Sequence, residues 1–348
     1  MTDDVQDRAN RRVGIRDVAA AAGVGISTVS RVLSGSADVR PELRERVLAA
    51  AAELGYQPDI LAQSLRRGAT RSMGFIADDL QNHVIAEIAT GAEGVLRAHG
   101  YSLLVMNSEL DPALDPENIR VLQARRVDAL MMCPVEETHE ETVRAMSGLD
   151  IPLCIIEGDQ PDSVRASYVH SDHAAGVVEA VRHLVRQGHR RIALLTGPAR
   201  YRSARERRRG LDRAAAEAPE VTFIHRNVEL NEEDGHRTFG VLLAERHRPT
   251  AVVVGGNRLL VGVLRAIESA GMEPGRDLAI VTSDALPLAA MFRPPLASIQ
   301  RDGARIGRTA AEVLLARLAD PAAAPGSVTL PVTYVPRASA AAAPSTEG

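Results

Sequence analysis

Between Gly23 and Leu33 the chain reads GVGISTVSRVL, and one arginine, Arg31, stands among three small hydroxyl residues, Ser27, Thr28 and Ser30. A guanidinium can send two parallel N–H donors to a guanine edge, and short side chains beside it let a helix lie close to a duplex. The two glycines raise a second chemistry, the G-x-G-x-x-G cradle for a dinucleotide pyrophosphate. That reading fails twice. Thr28 occupies the third glycine position, and the preceding segment has helical rather than strand periodicity. No P-loop, nucleophile elbow, metal-ligand cluster or suitably spaced pair of catalytic carboxylates is found in the sequence. The chain is therefore expected to recognise rather than to catalyse, with no cofactor and no metal.

Arg31 can act only if the surrounding elements hold it outward. Ile15, Val18, Ala19 and Ala22 follow the i, i+3, i+4, i+7 spacing of an amphipathic helix. Gly23 to Gly25 are expected to turn the chain, because glycine tolerates positive φ. Ile26, Val29 and Leu33 would form the inner face of a second short helix. A third opens at Pro41, turns Leu43, Val47, Ala51 and Leu54 inward, and stops at Gly55 and Pro58. Three short helices with a tight turn between the first two describe a helix-turn-helix module. From Arg8 to Arg71, eleven arginines against six acidic residues leave five positive charges, in a chain whose net charge is -4. A basic segment in an acidic chain is the local signal expected of a nucleic-acid surface.

From Met73 onward, apolar strand runs such as YSLLVMN, VDALMMCP and IPLCIIE alternate with helical stripes, and from Ser171 the pattern repeats through RRIALLTG, VTFIH, TAVVVGG and DLAIVTSD. VTLPVTYV reads as a closing strand. Such β-α alternation predicts two α/β lobes with parallel sheets, and a ligand cleft at the carboxyl ends of their strands. Cys133 and Cys154 fall inside apolar runs and read as buried thiols. The start, MTDDVQDRANRR, lacks the apolar core of a signal peptide, and no apolar run is long enough to span a membrane. A cytoplasmic location is expected.

The stretches IRDVAAAAGVGISTVSRVLSG and VRPELRERVLAAAAELGYQPDILAQSLRRG, followed by RQGHRRIALLTGP, SARERRRG, GVLRAIESAG and RPPLASI, resemble the LacI/GalR family of bacterial transcription regulators. The resemblance implies a helix-turn-helix headpiece over residues 1–57 and a hinge helix and linker over 58–70. It also implies an effector-binding core over 71–340 with a two-lobed, periplasmic-binding-protein-like α/β fold. Lobe 1 would take about 71–170 and 299–325, lobe 2 about 171–298 and 326–337, and the Ala/Pro-rich tail 338–348 is expected to be disordered. The partners implied are operator DNA, a small-molecule effector and a second copy of the chain, with no membrane. The tail has no leucine heptads, so a homodimer rather than a tetramer is expected. Ile15, Ile26, Ser27, Thr28, Ser30, Arg31 and Ser34 are the DNA-contact residues so implied, with the second helix in the major groove. On the hinge, Leu65 would wedge a minor-groove base step and Ala62 would let two hinge helices approach; a plain linker helix is the alternative. Gly25 stands where the family usually carries a capping serine.

For the effector, the resemblance places Arg205 in the cleft, where its planar fork would suit vicinal hydroxyls or a carboxylate. An exposed helical arginine is the other reading of that residue. Asp284 would accept from ligand hydroxyls, or cap a turn. Asn257 matches a pocket asparagine, with Arg258 in place of a frequent aspartate. Asp172 matches a family aspartate, with His173 where asparagine is frequent. Asp78, Glu157 and His170 are further candidates. Leu230 stands where an aromatic often stacks on a sugar ring, and aromatics make up only 3% of the chain. The expected effector is therefore a small polar molecule, a sugar, sugar acid or short polyol, held mainly by hydrogen bonds.

Overall fold

The protein is described as a computed structural model over residues 13–33, 38–56, 69–159, 161–284 and 287–343. Ser34, Ala62, Leu65 and the whole segment 57–68 lie outside these residues. The chain divides into two compact units, Met1–Thr70 and Arg71–Gly348.

The first unit contains α1 (Ile15–Ala22), α2 (Ile26–Leu33) and α3 (Pro41–Glu53). Val18, Val29 and Val47, one from each helix, are fully buried together. Asp17 starts α1 by accepting the Gly14 N–H at 2.8 Å. Gly23 ends it in the left-handed region (φ 61°), the conformation for which glycine is the default. Arg46 of α3 donates to the Ala22 carbonyl at 2.6 Å, so this arginine of the basic segment ties α3 to the end of α1. Two details depart from expectation. Gly25 is not among the positive-φ glycines, so Gly23 alone makes the left-handed turn. Ile26 is 45% exposed; the core is met one position round the helix, by Val32, which leaves the first turn of α2 at the surface.

The second unit is two lobes, each a six-stranded sheet covered on both faces. The first runs β11-β5-β4-β3-β1-β2 and is parallel throughout. Its strands are β1 (Ser72–Ala77), β2 (Ser102–Asn107), β3 (Ala129–Met132), β4 (Leu153–Ile156), β5 (Ser167–Ser171) and β11 (Ser327–Leu330). Its helices are α4 (His83–Ala98), α5 (Leu114–Ala124), α6 (Glu140–Ser147) and α11 (Gly303–Ala319). The backbones of α4 and α11 nearly touch: a Cβ on Gly307 would fall 1.9 Å from the Ile88 carbonyl oxygen, so glycine is required there.

The second sheet runs β12-β10-β9-β8-β6-β7, and within it the β10–β12 pair is antiparallel. It holds β6 (Arg191–Thr196), β7 (Thr222–Asn227), β8 (Ala251–Gly255), β9 (Ala279–Ser283), β10 (Ala297–Gln300) and β12 (Thr333–Val335). Helices α7 (His173–Arg186), α8 (Arg202–Glu217), α9 (Glu232–Leu243) and α10 (Asn257–Ser269) cover it. Alternation of strand and helix thus builds the expected α/β architecture, with fully apolar runs in the strands buried on both faces.

Two expected boundaries are corrected. VTLPVTYV is two strands in two lobes: β11 pairs with β5 in the first sheet and β12 with β10 in the second. Pro331, between them, has no N–H to give a ladder. The return through lobe 1 therefore lasts to Leu330 rather than 325, and lobe 1 is re-entered only after Gln300. Residues 338–343, placed in the expected tail, are packed on lobe 2. Ala338–Ala340 form a 3₁₀ turn, in which the fully buried Ser339 hydroxyl donates to Ile280 O at 2.7 Å and accepts from Ala297 N at 2.8 Å. His183 and His189, which stand near helix ends, donate through Nε2 to the carbonyls of Ala340 and Ala341.

Candidate functional site

In the first unit, Ile26, Ser27 and Arg31 form an exposed ridge along α2, with Thr28 and Ser30 half-buried beside it and Ile15 half-buried on α1. Arg31 Nε lies 3.4 Å from the Ser27 carbonyl, and this is how the short helix lays its one arginine along its own surface. Behind the ridge, Val29 and Val32 point into the core. The outward set is small and polar apart from Ile26 and Arg31, the shape needed for close approach to a groove.

In the second unit, a cleft with about 1020 Å³ of open space lies between the lobes at the carboxyl ends of both sheets. Lobe 1 contributes the apolar residues Val84, Ile85, Ile88, Cys133, Pro134 and Ile156 and, beside them, acids that include Asp78, Glu137 and Glu157. Lobe 2 and the crossover contribute a polar side with Arg207, Asn257, Asp284 and Arg301. The helices α4, α8, α10 and α11 all start there, because each follows a strand that ends at the cleft.

Arg301 is the hub. It grips Asp284 with two bonds, Nε to Oδ1 at 2.6 Å and Nη2 to Oδ2 at 2.8 Å, and its Nη1 donates to Glu157 Oε1 at 3.2 Å. Burial pulls its pKa down, but Asp284 and Glu157 outweigh it and raise the value. Burial also pushes both acids up, yet Arg301 with Arg207 holds Asp284 below its usual range, and His173 with Arg301 holds Glu157 well below. Burial lowers the pKa of His173, against the pull of Glu157, and its Nε2 donates to Glu157 Oε2 at 3.2 Å. Asp284 and Glu157 both sit at positive φ, 67° and 58°. Left-handed backbone at non-glycine residues costs about 1–3 kcal/mol each and tends to gather at binding sites.

Arg207 is the under-used group. It is 4% exposed, its Nη1 donates to Gly255 O at 3.3 Å, its Nη2 stands 3.7 Å from the Asp284 carboxylate that Arg301 already holds, and its Nε is buried without a partner. Burial lowers its pKa to about 10. Asn257 Oδ1 is likewise buried without a partner. Asp78, half-buried at the end of β1, accepts from Asp79 N at 2.8 Å, and burial lifts its carboxyl to about 7. Buried donors and acceptors left open in a cavity ask for a ligand that completes them.

Sequence comparison gives the same two-part picture. Residues 14–59 match the model of the bacterial regulatory proteins of the lacI family, and residues 181–340 that of a periplasmic binding protein-like domain. The chain is 30% identical over 311 residues to the HTH-type transcriptional repressor PurR of Aliivibrio fischeri, covering 88% of this chain and 92% of that one. It is 31% identical over 310 residues to the ribose operon repressor of Haemophilus influenzae, again over 88% and 92%. The chain belongs to the lacI family. Among solved structures, the lac repressor dimer bound to operator and the anti-inducer ONPF superposes with a TM-score of 0.84 at 28% identity, over 95% of this chain and all of that one. As a lacI-family member, the chain is a ligand-responsive, DNA-binding transcriptional regulator and not an enzyme. Among the described residues no helix is long and apolar enough to cross a membrane.

Within this lacI-family core, Asp78, Asn257 and Asp284 line the cleft, as does Glu157. Arg205 and Asp172 do not. Arg205 itself is not among the lining residues; it pairs instead with Glu137, which does line the cavity, and, at 2.8 Å, with Asp159, which does not. Asp172 caps α7 by accepting from Ala175 N at 3.0 Å. His170 donates to Gly158 O at 2.9 Å and also lies off the cavity. Arg207 and Arg301 were missed by sequence reasoning. For Arg207 a signal existed: Ala204, Arg207, Leu211 and Ala214 share the apolar stripe of α8, whereas Arg205 lies off it. For Arg301 there was none beyond a basic residue following a strand.

Proposed function

We propose that the chain is a repressor that binds a near-palindromic operator as a homodimer and is controlled by a compact, neutral, hydroxyl-rich effector, a sugar or short polyol. The ridge of α2 would enter the major groove, with Arg31 on a guanine edge contributing about 1–3 kcal/mol of discrimination. The named relatives include a ribose operon repressor, and the cleft suits that chemistry better than an aromatic base. Tyr201 is the one aromatic side chain among the lining residues, which is little for stacking a purine.

The observation that carries the reading is the pair of open groups on the polar side, Arg207 Nε and Asn257 Oδ1. Together they offer one donor and one acceptor, which is what a hydroxyl pair satisfies. The charges argue for neutrality. Asp284, Glu157, Asp159, Glu137 and Asp79 each already face an arginine, so an acidic effector would find no uncompensated cation except the partly paired Arg207.

The test is calorimetric titration of the full chain with pentoses, hexoses, polyols, sugar acids and purines, alongside operator selection from a random duplex pool. A neutral sugar or polyol should bind. Arg207→Met should weaken it by roughly 10- to 100-fold, the range for losing a hydrogen bond to a charged group. Arg31→Ala should erase preference at one symmetric base pair of the selected site. Binding of purines or sugar acids alone, or indifference to Arg207→Met, would sink the effector reading; equal binding to every duplex would sink the operator reading.

A further inference from the structure

Two sets of contacts join the lobes across the cleft, each from a different strand end. After β8, Arg258 Nη2 donates to Gln81 Oε1 at 2.8 Å, and its Nη1 lies 3.9 Å from Asp79 Oδ2. Asp79 is held in place by accepting the Gln81 N–H at 3.0 Å. After β6, Arg205 pairs with Glu137 and Asp159, and Arg202 Nε donates to Asp159 Oδ1 at 2.9 Å. Each bridge has one exposed member and one buried one: Asp79, Glu137 and Arg202 are 11%, 3% and 10% exposed. The side chains of Arg258 and Asp159 are 44% and 54% exposed, against 5% for Arg207 and 9% for Arg301.

We infer that these cross-lobe bridges are gates that select the effector by size, with Arg258 as the specificity-determining residue. A molecule small enough to be enclosed leaves the Arg258–Gln81–Asp79 and Arg205–Glu137–Asp159 contacts made. A molecule that projects past the rim has to break one of them and hold it broken. The Arg258–Asp79 and Arg205–Asp159 contacts each have an exposed member and are weakened by salt, so these gates open for entry and close again behind a compact ligand. The inference rests on the cleft being the effector site.

Cys133 supplies a probe that does not require the effector. It lines the cleft and is 4% exposed, whereas Cys154 is wholly buried in the lobe core. The experiment measures labelling of Cys133 in the full chain by methyl methanethiosulfonate and by a methanethiosulfonate bearing a fluorescein-sized group. Each rate is normalised to free cysteine, and Cys133→Ser serves as the blank. In the wild type the bulky reagent should lag the small one by about tenfold or more, as expected when access needs a local opening. Arg258→Ala, and separately Asp159→Ala, should raise bulky labelling by about tenfold while small-reagent labelling changes much less. Raising the salt to about 0.5 M should act in the same direction. Equal normalised rates for both reagents in the wild type, or no rise with either variant, would overturn the gates. Size-selective labelling in a chain that binds no sugar or polyol would leave the gates standing and remove the effector class.

Discussion

Arg205 and Arg207 stand two residues apart on α8 and do unlike things, because two steps along a helix rotate a side chain by about 200°. Arg205 bridges the lobes; Arg207 lies on the apolar stripe, lines the cavity and leaves its buried Nε without a partner. Asp78 shows the same dependence on surroundings. Its carboxyl is lifted to about 7 by burial, against an unfolded value of 3.8. An acid lifted on folding binds its proton more tightly in the native chain, so this residue removes stability as pH rises from about 4 to 7, and the loss is complete above that range. Glu157 and Asp284, held below their usual range, act in the opposite sense: their contribution is present above about pH 4 and is lost at lower pH. Asp78→Asn is therefore expected to raise Tm at pH 8 and to lose this advantage as the pH approaches 4. A Tm difference independent of pH would contradict the assignment.

At the scale of elements, α2 is a two-turn helix that begins without a side-chain cap. Gly25 precedes it, and its carbonyl accepts from Thr28 N and Val29 N at 2.9 and 3.2 Å. The backbone of Gly25 is not left-handed, and an added Cβ would meet nothing closer than Ser27 Oγ at 3.7 Å. Serine therefore fits. Its hydroxyl can accept one of the open N–H groups of the first turn, for a gain of about 0.3–1 kcal/mol. Gly25→Ser should raise hydrogen-exchange protection of the α2 amides in the full chain by roughly two- to fivefold. Unchanged or lower protection would show that the entry to α2 is not limited by its cap. Pro331 works at the same scale from the other direction. By refusing a ladder bond it lets one apolar run serve two sheets.

Across the whole molecule, the core lobes are tied by three passages of chain, near Asp172, Arg301 and Pro331, and the second carries the arginine that holds one acid from each lobe. The last passage continues into a segment that plugs lobe 2. Ser339 closes this plug by satisfying both Ala297 N and Ile280 O in a fully buried position. Ser339→Ala leaves a buried donor and acceptor open, which costs about 1–3 kcal/mol. The urea midpoint of the core transition should fall accordingly, with the m-value unchanged; an unmoved midpoint would mean that the tail contributes nothing to lobe 2.

Most of the architecture was legible in residue order, because helices and strands advertise themselves through local periodicity. The stripes of α1 and α3, the buried runs of the parallel strands, and the cleft at their carboxyl ends follow from spacing and alternation alone. So does the outward ridge carrying Arg31. What only the tertiary structure decided were matters of pairing between distant segments. Which arginine of SARERRRG faces the cavity depends on which face of α8 meets the sheet. Whether Asp172 binds ligand or caps a helix depends on where its own N-terminal turn points. That Arg301 holds two acids from different lobes, and that an Ala-rich tail docks on His183 and His189, depends on contacts between residues far apart in the chain, which no local pattern records.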